Sequence, residues 1–194
     1  MLESLTLRNM TLPTEMDLSK FLKLETIDFS KTTTKSVVFP QTGRLKNVIL
    51  PDTIETFRIY DNPGLTDITF EGLNNLATVY IDCDNVGSFD VANFCEQLIN
   101  CNALQSVTIR NANLYITEDA LRKMILTHTC NLTGDIYIVN TAGSTTLKAI
   151  SFATKQLLVN TFGDISSPSS KIRIHFQSAE ILDFSCAGEV SVYY

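Results

Sequence analysis

The chain has 194 residues, a net charge of −6 and a hydrophobic content of 44%. That apolar fraction excludes wholesale disorder. The acidic balance argues against nucleic acid or an anionic membrane as the main partner, since both require a basic face. No apolar run approaches the ~18 residues needed to span a bilayer, so membrane insertion is not expected.

At the N-terminus, MLESLTLRNM shows no basic region followed by an apolar core, so no signal peptide is read there. Leu2-Glu-Ser-Leu5-Thr-Leu7 is instead a phrase of the form apolar-x-x-apolar-x-apolar. The phrase recurs from Leu24, Leu45, Ile54, Leu65, Leu76 and Leu104, most densely over residues 45–82. Its second half alternates with period 2, the pattern of a strand with one face buried. Pro51-Asp52, Asn62-Pro63-Gly64 and Asn74-Asn75 separate the copies with turn chemistry. A phrase at the very start reads as a piece of a longer array.

Spacing sorts the copies. Phe57 to Val79 is 22 residues, Val79 to Val107 is 28, Val107 to Ile136 is 29 and Ile136 to Ile172 is 36. Val37, in the looser copy Lys35–Pro40, lies 20 before Phe57. These intervals predict one ladder of parallel strands through all six positions. Up to about residue 85, Leu5, Ile27, Val48 and Ile68 fall midway between rungs and predict a second short strand in each coil.

After residue 85 the segments between rungs take helical spacing. Three helices are expected, over 88–102, 117–131 and 151–163. Ser88, Thr117 and Ser151 are suited to cap them, Glu118-Asp119 to the positive end of the second, and Gly163 to stop the third. Cys101 and Cys130 each lie six residues before a predicted rung and read as equivalent buried thiols. The five cysteines form neither a zinc-site spacing nor a disulfide framework. Beyond the Ser166–Ser170 loop, Ala179–Phe184 and Val190–Tyr194 look like two further strands. They would cap the solenoid or begin a following domain. The expected layout is an α/β repeat array over 1–175, with short β coils over 1–85 and longer β/α coils over 86–175. Cap strands or a new domain would occupy 176–194.

Leu76–Tyr80, Leu104–Ile109 and the two helical units of 28–29 residues resemble leucine-rich repeat proteins. Departures are the missing asparagine ladder in the early copies and the drifting repeat length. The run from Cys130 to Pro168 is similar to the end segment of irregular leucine-rich repeat proteins of gut Bacteroidetes and their bacteriophages. This resemblance implies a leucine-rich repeat solenoid with a parallel ladder and a C-terminal β cap. It also implies a tail, baseplate or surface protein, located outside the cell or on a virion.

In such a ladder the residues between inward-facing apolar pairs form the exposed face. The central row reads Val38, Arg58, Tyr80, Thr108, Tyr137, Arg173. Flanking rows add Thr56 and Tyr60, Thr78 and Asp82, Ser106 and Arg110, Asp135 and Val139, Lys171 and His175. Arg58, Tyr60, Tyr80, Asp82, Thr108, Arg110 and Tyr137 make up the expected ligand-binding face. Tyr and Arg dominate binding hot spots because they bring area and hydrogen bonds at low entropic cost. The plain alternative is that Tyr and Thr are good strand residues.

Catalysis fails on inventory. The two histidines, His128 and His175, belong to no evident triad. His128 ends a predicted helix, where the dipole favours a cation and the side chain should face solvent. Asp82, Asp84 and Asp90 do not match a calcium loop, and no glycine-rich phosphate loop is present. No enzyme activity, cofactor or metal is therefore expected. The expected partner is a protein or glycan, with neighbouring subunits of a larger assembly as the alternative. A structural spacer in a phage tail or baseplate is the competing role.

Overall fold

Every apolar position of the central phrase is buried: Leu45, Val48 and Leu50, then Ile54, Phe57 and Ile59, then Leu65, Ile68 and Phe70, then Leu76, Val79 and Ile81. The pleat sends alternate side chains to one face, and the leading apolar residue turns the corner into the same core. The computed structural model describes residues 2–65, 67–70, 72–82, 89–91, 95–98, 100–110, 112–138, 151–165, 170 and 172–176. The expected cap strands beyond Phe176 lie outside the described residues.

In chain order the first half carries β1 (Ser4–Thr6), β2 (Glu15–Asp17), β3 (Thr26–Asp28), β4 (Ser36–Val38), β5 (Asn47–Ile49), β6 (Thr56–Tyr60), β7 (Asp67–Ile68) and β8 (Thr78–Asp82). The second half begins with β9 (Phe89–Val91), α1 (Cys95–Leu98), β10 (Ser106–Arg110), β11 (Ala112–Ile116) and α2 (Glu118–Thr127). It continues through β12 (Thr129–Leu132), β13 (Gly134–Ile138), α3 (Phe152–Phe162) and β14 (Ile172–Phe176).

These strands form three parallel sheets stacked as a β-solenoid. The first wall runs β1-β3-β5-β7, the second β2-β4-β6-β8-β10-β12, and the third β9-β11-β13-β14. The midway positions align as predicted: Leu5 opposes Ile27, Ile27 opposes Val48, and Val48 opposes Ile68. In the second wall Phe57, Val79 and Val107 stand in register. Phe39, Phe57 and Phe70 pack edge-on beneath it, with centroids 5.7 and 5.2 Å apart.

After β7 the first wall changes material. Gln97 of α1 accepts hydrogen bonds from the Phe70 N–H (2.8 Å) and the Thr69 hydroxyl (2.9 Å), which seats α1 on β7. Lys123 of α2 reaches back to Asn100 at 3.5 Å. Arg122 reaches forward to Ser151 and Thr154 of α3 at 3.4 and 3.3 Å. Helices therefore continue a wall that strands begin. Thr117 and Ser151 cap α2 and α3 as expected, and Gly163, at φ 84°, ends α3.

The third wall departs from the expected pattern. Residues 88–102 do not form one helix: Phe89–Val91 pairs in parallel with Ala112–Leu114, and Cys95–Leu98 is helical. Strand pairing with a neighbouring coil outweighs a helical spacing of apolar residues. The ladder does not run from Val107 to Ile136 either. Val107 opposes Cys130, a step of 23 rather than 29 residues. Helix α2 stops at Thr127, and the chain enters β12 through Thr-Cys-Asn-Leu, which lacks the apolar phrase. Leu132 is buried there and Cys130 partly so. Gly134, at φ 102°, then turns the corner into the third wall, a conformation that a side chain would strain. Cys130 is thus a strand residue opposite Val107, while Cys101 belongs to the turn after α1, so the two are not equivalent. Finally, Ile136 opposes Ile174 rather than Ile172, a shift of two that keeps the same faces outward.

Candidate functional site

The outer face of the second wall is built from residues between buried pairs. Arg58 lies between Phe57 and Ile59, Tyr80 between Val79 and Ile81, and Thr108 between Val107 and Ile109. Register places Arg58 opposite Tyr80 and Tyr80 opposite Thr108, and in the next row Tyr60 opposite Asp82 and Asp82 opposite Arg110. Six of the seven expected face residues therefore share one surface. Tyr137 does not: it lies in the third wall, opposite Tyr115 and His175, and stacks on the Tyr115 ring at 4.6 Å and 10°. Arg173, expected beside Tyr137, opposes Asp135 and pairs with it through two contacts of 2.7 Å. Val139 and Lys171 lie outside the described residues, as does the side chain of His175.

Two features organise the second-wall face. The first is a polar and aromatic relay. The Tyr60 and Tyr80 rings are neighbours on adjacent strands. The Tyr80 hydroxyl donates to Asp82 Oδ2 at 3.0 Å, with Arg110 alongside. Burial and then the Asp82 hydrogen bond push the Tyr80 phenol upward, while Arg110 pulls it down and does not prevail. Tyr80 is thus a committed donor at neutral pH. Asp82, only 6% exposed, is an anchor for Tyr80 rather than a free carboxylate. Below Tyr60, the buried Asn62 amide donates to the Tyr60 carbonyl (2.7 Å) and to the Pro40 carbonyl one coil away (2.8 Å). This fixes the corner that ends β6.

The second feature is a groove of about 430 Å³ across β2, β4 and β6. Exposed Val38 of β4 lies in its lining between Arg58 and Tyr60 of β6 and Glu15 of β2, with Gln41 past the end of β4. Ser36 Oγ donates to Glu15 Oε2 at 3.2 Å. Among the described residues Arg58 makes no ion pair. Glu15 and Gln41 were not singled out by sequence, although Met16 lies 21 residues before Val37, a full coil. Stepping back one coil from Ser36 would have found Glu15.

Other expected chemistry is placed as follows. His128 caps the C-terminus of α2 but is half-buried. Burial, and then the neighbouring Lys123, hold its imidazole below the ordinary value. The Cys130 thiol is pushed up to about 11 by burial, and Cys101 is raised for the same reason. Cys83, Cys186 and Asp84 lie outside the described residues, as do the side chains of Cys95 and Asp90. Among the described residues no group of three His, Cys, Asp or Glu side chains could hold a metal ion. Comparison with protein-family profiles, curated proteins and solved structures returns no match to this chain.

Proposed function

We propose that the chain is a non-catalytic module of the irregular leucine-rich repeat kind, which displays a rigid ligand-binding face on the second wall. The observation that carries this reading is the junction of relay and groove at Tyr60. One side of Tyr60 faces Tyr80, and the other borders the groove over β4. A binding residue buttressed before the ligand arrives loses little entropy on binding. The repeat identity is supported by the phrase itself, whose three apolar positions are buried in coil after coil. Arg58 and Tyr60 contact the ligand, whether protein or glycan, Tyr80, Asp82 and Arg110 position them, and Thr108 extends the surface.

The test is binding of labelled residues 1–194 to intact Bacteroidetes cells, encapsulated and capsule-free. Saturable binding that Tyr80→Ala weakens and Val38→Ala alters is the expected result. Binding indifferent to every substitution on this face would refute the reading.

A second reading, a spacer or assembly element of a phage tail or baseplate, has its own observation. Among the described residues β1 and β2 are the terminal strands of their sheets, and Leu2 and Met10 beside them are 42% and 44% exposed. Unpaired edges of this kind accept another strand. Under this reading substitutions at Leu2 or Met10 impair assembly, while those at Tyr60 do not.

A further inference from the structure

We infer that the groove over β4 is a carbohydrate site that takes a single pyranose ring between Arg58 and Glu15. The inference rests on the binding-face reading above and names its ligand class.

The first argument is span. Glu15 is on β2 and Arg58 on β6, with β4 between them. Register sets Glu15 level with Ser36 and Thr56, two residues before Arg58, so the diagonal between them, two strand spacings across and two residues along, is roughly 12 Å. One sugar ring with a hydrogen bond at each end covers that distance, whereas a bare ion or a single amide does not.

The second argument is hydrogen-bond complementarity. A guanidinium only donates and a carboxylate only accepts. The groove therefore presents a donor wall and an acceptor wall, with Gln41 able to do both. Sugar hydroxyls donate and accept at once, so one ring satisfies both walls. A polyanion meets Glu15 unfavourably, and a fatty chain leaves both charges desolvated without a partner.

The third argument is the lining. Val38 is 40% exposed and Tyr60 36%, and both line the groove. They offer apolar contact to the C–H face of a ring whose rim is polar. Pockets for small ligands have this composition, apolar contact with a few placed polar groups.

The fourth argument separates a sugar from a peptide. Extended peptides dock most readily by adding to a sheet edge. Strands β4 and β6 are interior to the second wall, paired on both sides. Their backbone groups are committed to the ladder; among the described residues the nearer open edge of this wall is on the far side of β2, so a peptide strand that added there would lie beside the groove and not in it.

The experiment is titration of isotope-labelled residues 1–194 with the methyl glycosides of glucose, galactose, mannose, N-acetylglucosamine and glucuronic acid. A capped alanine tetrapeptide serves as the non-sugar probe. At least one glycoside is expected to shift the amides of Val38, Arg58 and Tyr60 saturably, with Kd on the order of 1 mM for a single ring. Arg58→Ala and Glu15→Ala should each weaken that binding at least tenfold, while Leu126→Ala, on the exposed side of α2, leaves it unchanged. The inference is overturned if no glycoside moves these amides, if the response survives both substitutions, or if the tetrapeptide binds equally well. The cell-binding assay distinguishes the two levels. Glycoside failure with cell binding still lost in Tyr80→Ala removes the sugar and leaves the face. Loss of neither removes both.

Discussion

Tyr60 and Tyr80 lie on adjacent strands with ring centroids 5.2 Å apart and planes tilted by 39°. The Tyr80 end of the pair is anchored by its hydroxyl, which donates to Asp82. The ring and the hydroxyl of Tyr80 can therefore be tested separately. Tyr80→Phe keeps the ring contact and should change stability by less than about 1 kcal/mol. Tyr80→Ala removes the contact and should cost about 1–2 kcal/mol, while leaving Tyr60 free to rotate. Thermal denaturation gives the first quantity. Ring-proton spectra of Tyr60 give the second, and an unchanged Tyr60 environment in the alanine variant would rule out the buttress.

Val79 and Val107 are fully buried, neighbours in register in the second wall. An aspartate at either site places an unpaired carboxylate among apolar side chains, at a cost of several kcal/mol. Val79→Asp and Val107→Asp should each abolish the cooperative unfolding transition seen by circular dichroism. Retention of a native transition in either would show that the ladder is misassigned.

Glu118 of α2 accepts the Ser151 N–H at 2.9 Å and also the Thr154 hydroxyl, so one helix caps the start of the next. Burial works against its ionisation, but the hydrogen bonds from Ser151 and Thr154 outweigh it and hold the carboxyl below its usual range. A lowered acid contributes stability that is present above its unfolded pKa and is lost as pH falls through the folded one. Glu118→Ala should cost about 1 kcal/mol, the ordinary worth of a cap. It should also speed amide exchange over Ser151–Lys155. Equal exchange in variant and parent would remove the cap from the account.

Asp28, 7% exposed, pairs with Arg8 one coil away and accepts the Ser30 N–H. The Arg8 hydrogen bond, opposed by burial and helped by Ser30, holds its carboxyl down to about 2. The resulting stability is intact above about pH 4 and disappears as pH falls toward 2. Asp28→Asn should lower stability at neutral pH by about 1–2 kcal/mol, limited by solvent around the exposed arginine. It should also flatten the acid limb of the stability profile. An acid limb identical to the parent's would assign the acid sensitivity to other carboxylates.

The first half of the fold was legible because each coil repeats one phrase and two sets of apolar residues align at a near-constant step. Leu5, Ile27, Val48 and Ile68 declared the first wall, and Val37, Phe57 and Val79 the second. Residues that pair without an apolar phrase were not legible. Glu15-Met-Asp17 and Thr129-Cys-Asn-Leu132 take their place in the sheet through backbone bonds to a neighbour, which leave little trace in side chains. Ala112–Ile116 was hidden because it follows β10 after one residue and shares its alternation. Missing it removed the third wall and placed Tyr137 on the wrong face. The binding face was legible in part, since Arg58, Tyr60 and Tyr80 stand between buried pairs. Its opposite wall was not, because Glu15 belongs to a strand with no phrase.

Strands in one wall sit about 4.8 Å apart, whereas packed helices need 8–10 Å. Beyond β7 helices stand where strands stood, so a coil there has two spacings to reconcile, while the coils before β7 carry strands in both walls. The groove over β4 lies wholly in that strand-only portion. Its width follows from strand spacing and register, and owes nothing to how the helices pack further along the chain.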